Sequence, residues 1–186
     1  MYQLLDVAKH FLENGKIPEK NAVLADFTMG NGYDTEYLCN LCRGGKVYAF
    51  DIQPKALENT KARLEKAGLS SCATLICDSH ANAHKYITEK IDGGMFNLGY
   101  LPGGDKSVHT MRTSTMPAIN TAISLLNPGC VLVISVYPGH EEGFLEGQMV
   151  LSELEKLSKL EYCVTHFHIL NSPDAPFIIA VEKYDK

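Results

Sequence analysis

The sequence predicts an α/β fold, Rossmann-like in outline: a mostly parallel seven-stranded sheet with one antiparallel strand and helices on both faces. Three observations carry this. Short apolar runs alternate with amphipathic helical stretches along nearly the whole chain, and such alternation implies parallel strands joined by right-handed crossovers. The chain closes on two apolar runs with a short link, which gives one antiparallel pairing. Four apolar runs end on a polar residue, at the carboxyl edge where such sheets bind ligands.

The elements follow in order. Leu4, Leu5, Ala8, Phe11 and Leu12 recur at helical spacing, so residues 2–14 read as an amphipathic helix ending at Gly15. NAVLADF (21–27) is a strand that stops at Asp26 before a Gly-rich turn. TEYLCNLC is a helix ending at Gly44-Gly45, and KVYAFDI (46–52) is a second strand carrying Asp51. Pro54 suits a first helical turn, and the helix that follows stops at Gly68. CATLICD (72–78) is a third strand, again ending in Asp, and residues 81–90 read as a helix. GMFNLGY (94–100) is a fourth strand, bearing Asn97. A helix from Arg112 to Leu126 leads through Pro128-Gly129 to the strand CVLVISVY. GFLEGQMVLSELEKL is a helix, and EYCVTHFHIL and FIIAVEKY are the two final strands.

Composition limits the function classes. The 186 residues suit a single domain, 1–186, with little length for a second substrate domain. No apolar run reaches the ~18 residues of a membrane span. The N-terminus reads as a helix rather than a signal peptide, so the expected compartment is the cytoplasm. The cysteines fit: Cys39 and Cys42 form a lone C-x-x-C, read as core thiols, and no metal site is expected. The net charge of -5 gives no global footprint for nucleic acid, so an RNA partner would need a local patch. Lys9, His10, Lys16 and Lys20 form one basic cluster, and Lys55, Lys61, Arg63 and Lys66 another. Both read as solvated helix faces.

Asp26, Asp51, Asp78 and Asn97 fall on one rim. Any one of them could simply cap the next helix; four together point to a ligand. The first turn, DFTMGNGYDT, lacks the third glycine of a dinucleotide fingerprint, with Thr35 in its place. Asp26 would oppose a pyrophosphate but welcome a cation. The loop therefore suits S-adenosylmethionine (SAM), which carries an ammonium and a sulfonium, better than NAD. Asp51, 19 residues after Gly32, stands where a carboxylate accepts from ribose hydroxyls. Asp78 could accept from the adenine amino group.

At this point the chain resembles the class I SAM-dependent methyltransferases. Thr28 stands where many members have the first glycine of D-x-G-x-G-x-G. More closely, DFTMGNGYDT, CDSHAN, FNLGYLPGGDK and YPGHEEGFLEG together resemble the rRNA-methylase family, MnmM-like. Its members methylate the aminomethyl nitrogen of 5-aminomethyl-2-thiouridine at the tRNA wobble position. Tyr33 replaces the His of the family pattern. The resemblance implies SAM as cofactor, held by Asp26, Thr28, Gly30, Asn31, Gly32, Asp51, Gln53, Asp78, Ser79, His80 and Asn97. It implies an RNA partner, the tRNA anticodon region. A homodimer is one option for assembly.

Asn97 to Tyr100, N-L-G-Y, resembles the N-P-P-Y turn of amino-group methyltransferases. Asn97 and the Leu98 carbonyl are then acceptors for the target nitrogen, Gly99 gives room to turn, and Tyr100 stacks on the base. An alkyl amine must lose a proton before attack. His140 is the candidate base, since histidine titrates near neutrality; a loop or N-cap role is the alternative. Tyr137 and Asn171 are assigned to the substrate rim. His80 and His84 are spaced four apart, without a third metal ligand in view. His166 and His168 share one strand face, which packing explains. Two other readings fit parts of the sequence: a small-molecule amine methyltransferase, and a non-catalytic nucleotide-binding regulator.

Overall fold

A computed structural model describes residues 4–99, 103 and 109–185. Strands β1 (Val23–Asp26), β2 (Lys46–Asp51), β3 (Ala73–Cys77), β4 (Gly93–Leu98), β5 (Val131–Val136), β6 (Tyr162–Phe167) and β7 (Phe177–Lys183) form one sheet. Their order is β3-β2-β1-β4-β5-β7-β6. All pairings among β1 to β5 are parallel, while β7 runs antiparallel to both β5 and β6. The expected single reversed strand is β7. Because β7 runs backwards, the β6–β7 turn comes to the same edge as the carboxyl ends of β1 to β5.

Helices α1 (Leu4–Glu13), α2 (Tyr33–Leu41), α3 (Pro54–Ala67), α4 (Arg112–Leu125) and α5 (Glu141–Leu154) cover the two faces. One core joins Ala8, Leu12, Leu38 and Leu64 to Leu24, Val47 and Val133. The other joins Ala118, Ile119, Ala122 and Val150 to Leu132, Ile134 and Val136. Alternate residues of β5 thus point to opposite cores, as strand periodicity requires, and β5 is buried throughout. Beneath the rim lies an aromatic layer. Phe27 stacks on Phe96 at 4.3 Å and on Phe50 at 5.9 Å between ring centroids.

The sequence reading fails in three places. Residues 81–90 were expected to be a helix; the structure has only a 3-10 stretch, His80–Lys85. Ser79 caps it through Ala81 N–H, and the Tyr86 hydroxyl folds back to Asp78 at 2.9 Å. The β-branched pair Ile87 and Thr88 gives no incentive to continue. The sixth strand stops at Phe167, so His168 to Leu170 belong to the turn. Arg63 is not on a solvated face: its guanidinium lies 3.5 Å from the Tyr33 ring centroid, and its Nε donates to the Asn31 carbonyl.

Cys39 and Cys42 are buried, as core thiols should be. Burial pushes the Cys42 thiol up to about 12 and that of Cys72, hydrogen-bonded to it at 3.1 Å, up to about 11. No described helix is long and apolar enough to cross a membrane.

Candidate active site

The sheet order reverses direction between β1 and β4, and a crevice opens at such a switch point beyond the carboxyl ends. Asp26 and Asn97 flank it. The Asn97 backbone N–H donates to Thr28 Oγ1 at 2.7 Å, tying the first loop to the end of β4. Thr28 is therefore a link between loops, and the hydroxyl it has in place of glycine's hydrogen serves that link.

The loop between β1 and α2 is shaped by two glycines in the left-handed region, Gly30 (φ 50) and Gly32 (φ 80). Gly32 is the residue before α2, and a Cβ there would sit 2.9 Å from the Thr60 Cα of α3. Asn31 is held by Asn59 Nδ2 at 2.8 Å and by Arg63. The loop's own donors are directed inward. Thr28 N–H donates to Asp26, Met29 N–H to the Phe50 carbonyl, Gly30 N–H to Asp51 and Gly32 N–H to the Met29 carbonyl. A pyrophosphate cradle needs such N–H groups turned outward. This loop has satisfied them with carboxylates and carbonyls.

Asp26 is fully buried and accepts from Thr28 N–H and from Thr35 Oγ1, at 2.6 Å. Burial and the neighbouring Asp34 charge push its carboxyl up to about 7. The rim thus carries a carboxylate whose charge a bound cation would favour. This has a testable sign. The folded value of about 7 exceeds the reference 3.8. The folded state therefore keeps the proton longer, and the associated stability, present below about 4, is lost as pH rises through about 7. Urea denaturation across this range should show wild type losing on the order of 4 kcal/mol relative to Asp26→Asn. Parallel curves would refute it.

Asp51 accepts from Gln53 N–H at 2.9 Å and from Gly30 N–H at 3.1 Å, and burial raises its carboxyl above the ordinary value. Its oxygens keep lone pairs beyond these two hydrogen bonds. Gln53 is the residue before α3 and contributes its backbone here. Asp78 is more fully engaged. Its carboxylate already accepts from Ser79 N–H, Asn82 Nδ2 and Tyr86 Oη, which hold it below the usual range. Of about four acceptor positions on a carboxylate, one is left for an adenine amino group. His80 lies under the rim. Its Nδ1 donates to the Phe27 carbonyl at 3.1 Å, its ring meets Phe96 edge-on, and burial lowers its pKa. A carbonyl only accepts, so Nδ1 carries a hydrogen.

On the substrate side, Asn97 is half-buried at the end of β4 and Leu98 is buried beside it. Among the described residues the buried Asn97 Oδ1 atom has no hydrogen-bond partner, while its Nδ2 donates to Asp34. Sequence reasoning missed Asp34. It lies in the first turn of α2, where an acidic residue is ordinary helix-dipole chemistry, and its partner is 63 residues away. Burial raises its carboxyl. Gly99 accepts from Thr110 N–H at 2.8 Å, which brings Thr110 to the end of β4. Tyr100, Pro102, Gly104, Asp105 and Lys106 lie outside the described residues.

Tyr137 follows β5, and its hydroxyl is pushed up by burial and by Asp34. His140 is the N-cap of α5. Its Nδ1 accepts from Gly143 N–H at 3.0 Å, and Gly143 leaves it room, since a Cβ there would lie 2.4 Å from the ring. With Nδ1 engaged as acceptor, the neutral ring carries its hydrogen on Nε2 and has no lone pair for a substrate proton. The cap role, not the base role, is what this geometry supports. Asn171 is exposed in the β6–β7 turn, on the rim but beyond β5 and β7.

With this geometry in view, similarity to known proteins is specific. The model of the family described as "Putative rRNA methylase" matches residues 47–182. A structure of an rRNA methylase from Clostridium thermocellum superposes with a TM-score of 0.91 at 34% identity, covering 98% of each chain. A methyltransferase structure from Streptococcus mutans, in complex with SAH, gives 0.89 at 36% identity, covering 98% of this chain and 99% of that one. The chloroplastic tRNA (mnm(5)s(2)U34)-methyltransferase of Arabidopsis thaliana is 34% identical over 179 residues, which cover 90% of this chain and 65% of that protein. The chain belongs to this rRNA methylase family, and its fold is that of the class I methyltransferases.

Proposed function

We propose that this protein is a SAM-dependent RNA methyltransferase acting on the aminomethyl nitrogen of 5-aminomethyl-2-thiouridine at the tRNA wobble position, reached through the anticodon region. The observation that carries the reading is the buried Asn97 Oδ1 at the switch point, without a partner among the described residues, beside a loop whose N–H groups are turned inward. A buried acceptor without a donor costs free energy unless a ligand supplies one. An amine supplies it. The substrate class comes from the Arabidopsis relative.

SAM, when bound, supplies a methyl group on a sulfonium. The chain's residues do the rest. Asp51 would accept from the SAM ribose, Asp26 would provide charge on its ammonium side, and the remaining lone pair of Asp78 would accept from its adenine. Asn97 Oδ1 accepts one N–H of the target amine and the Leu98 carbonyl a second, so that the nitrogen lone pair is aimed and not merely nearby. Tyr137 and Asn171 complete the substrate side, and the family resemblance gives Tyr100, outside the described residues, the stacking role. The described cysteines are all free, which supports a reducing compartment such as the cytoplasm.

The test is direct. Transfer RNA bearing the aminomethyl group is incubated with protein and SAM, and its nucleosides are analysed by mass spectrometry. A gain of one methyl on that nucleoside is expected. No gain, with turnover on free amines, would select a small-molecule methyltransferase instead.

A further inference from the structure

We infer that Asp34 is a positioning residue for the transfer: it fixes the orientation of the Asn97 side-chain amide, so that Oδ1 rather than Nδ2 faces the substrate nitrogen. This rests on the functional reading above. A side-chain amide has two nearly isosteric orientations related by a half-turn, with an acceptor on one side and donors on the other. Only one of them leaves an acceptor facing the crevice. Nothing on β4 itself selects it, because the Asn97 backbone N–H is already given to Thr28.

Asp34 makes the selection. Its carboxylate, from the first turn of α2, accepts from Asn97 Nδ2. An ionised carboxylate only accepts, so the reversed amide would set two acceptors against each other. A charge-assisted hydrogen bond biases such a choice by roughly ten-fold or more. Lys9 favours the charge of Asp34, which the hydrogen bond from Asn97 favours too. Asp26 lies close enough to feel its charge, and so do Tyr137 after β5 and Lys9 of α1. Lys9 itself lies over the Tyr37 ring, 4.8 Å from its centroid. Asp34 thus joins the cofactor loop to the acceptor without touching the reacting atoms.

The experiment compares wild type with Asp34→Ala, Asp34→Asn, Asn97→Ala and the Asp34→Ala/Asn97→Ala double variant. Single-turnover methyl transfer to the modified tRNA is read alongside SAH affinity by calorimetry. Asp34→Ala should lower kcat roughly ten- to a hundred-fold with SAH affinity within about three-fold of wild type. Asp34→Asn keeps an acceptor for Nδ2 and should recover most of the rate. In the Asn97→Ala background, Asp34→Ala should cost nothing further. A rate within two-fold of wild type for Asp34→Ala, a parallel fall in SAH affinity, or an additive loss in the double variant would overturn the inference. One readout needs no activity. In the NMR spectrum of the uncomplexed protein, the Asn97 side-chain NH₂ should show one strongly shifted proton in wild type and lose that shift in Asp34→Ala. An unchanged spectrum would sink the role of Asp34 even if the tRNA assay succeeds. The shift would stand even if that assay fails.

Discussion

Replacing Asn97 with alanine is expected to lower kcat for methyl transfer by about 10²- to 10³-fold, the usual cost of removing one pre-positioned polar group. SAH affinity should change far less. The asymmetry follows from the site. Asn97 Oδ1 has no partner among the described residues, so its loss leaves no protein group unsatisfied on that side. Nδ2 leaves Asp34 behind, a half-buried carboxylate that water can reach. The fold's link from β4 to the first loop runs through the Asn97 backbone, which the substitution keeps. The rate should therefore fall without unfolding. Rapid-quench transfer of a labelled methyl, with a urea melt as control, decides it. A rate within ten-fold of wild type would remove Asn97 from the chemistry.

The second large effect is on the cofactor loop. Gly32→Val should destabilise the protein by about 3 kcal/mol and abolish the rise in melting temperature that SAH gives to wild type. Two causes add. A β-branched residue is strained at φ 80. Its Cβ would also fall 2.9 Å from the Thr60 Cα, which is backbone of a packed helix and has nowhere to go. The loop must then shift, and with it the Gly30 N–H that orients Asp51. Differential scanning fluorimetry with and without SAH reads both parts. A retained SAH shift in a destabilised variant would show that the loop bears less on the cofactor than this geometry implies.

Much of this site is legible in the sequence because its signals are local. A strand that ends in Asp before a Gly-rich turn declares itself within ten residues, as at Asp26 and Gly30 to Gly32. The reversal of β7 is read the same way, from two apolar runs and a short link. What stays hidden is pairing at a distance. Asp34 looks like an ordinary first-turn acid until Asn97 arrives beside it. Asp78 reads as an open acceptor, because nothing local shows that Asn82 and Tyr86 will return to it. His140 carries the right chemistry for a base, yet its Nδ1 is taken by a backbone N–H three residues on. The 3-10 stretch after β3 fails for a related reason. Its fate is decided by side chains folding back on Asp78, a competition that periodicity does not register.

The backward course of β7 divides labour across the sheet. The nucleotide-facing loops hang from β1 to β3, while the β6–β7 turn hangs from the opposite flank of the same rim. Adding residues to that turn lengthens one surface loop and costs little closure entropy. The ladder between β5 and β7 keeps its register. On the proposed function, accommodation of a bulkier or smaller acceptor molecule can thus be retuned at one flank, while the loops assigned to the methyl donor at the other stay untouched. Grafting turns of different length between residues 168 and 176 is accordingly the natural place to re-engineer selectivity.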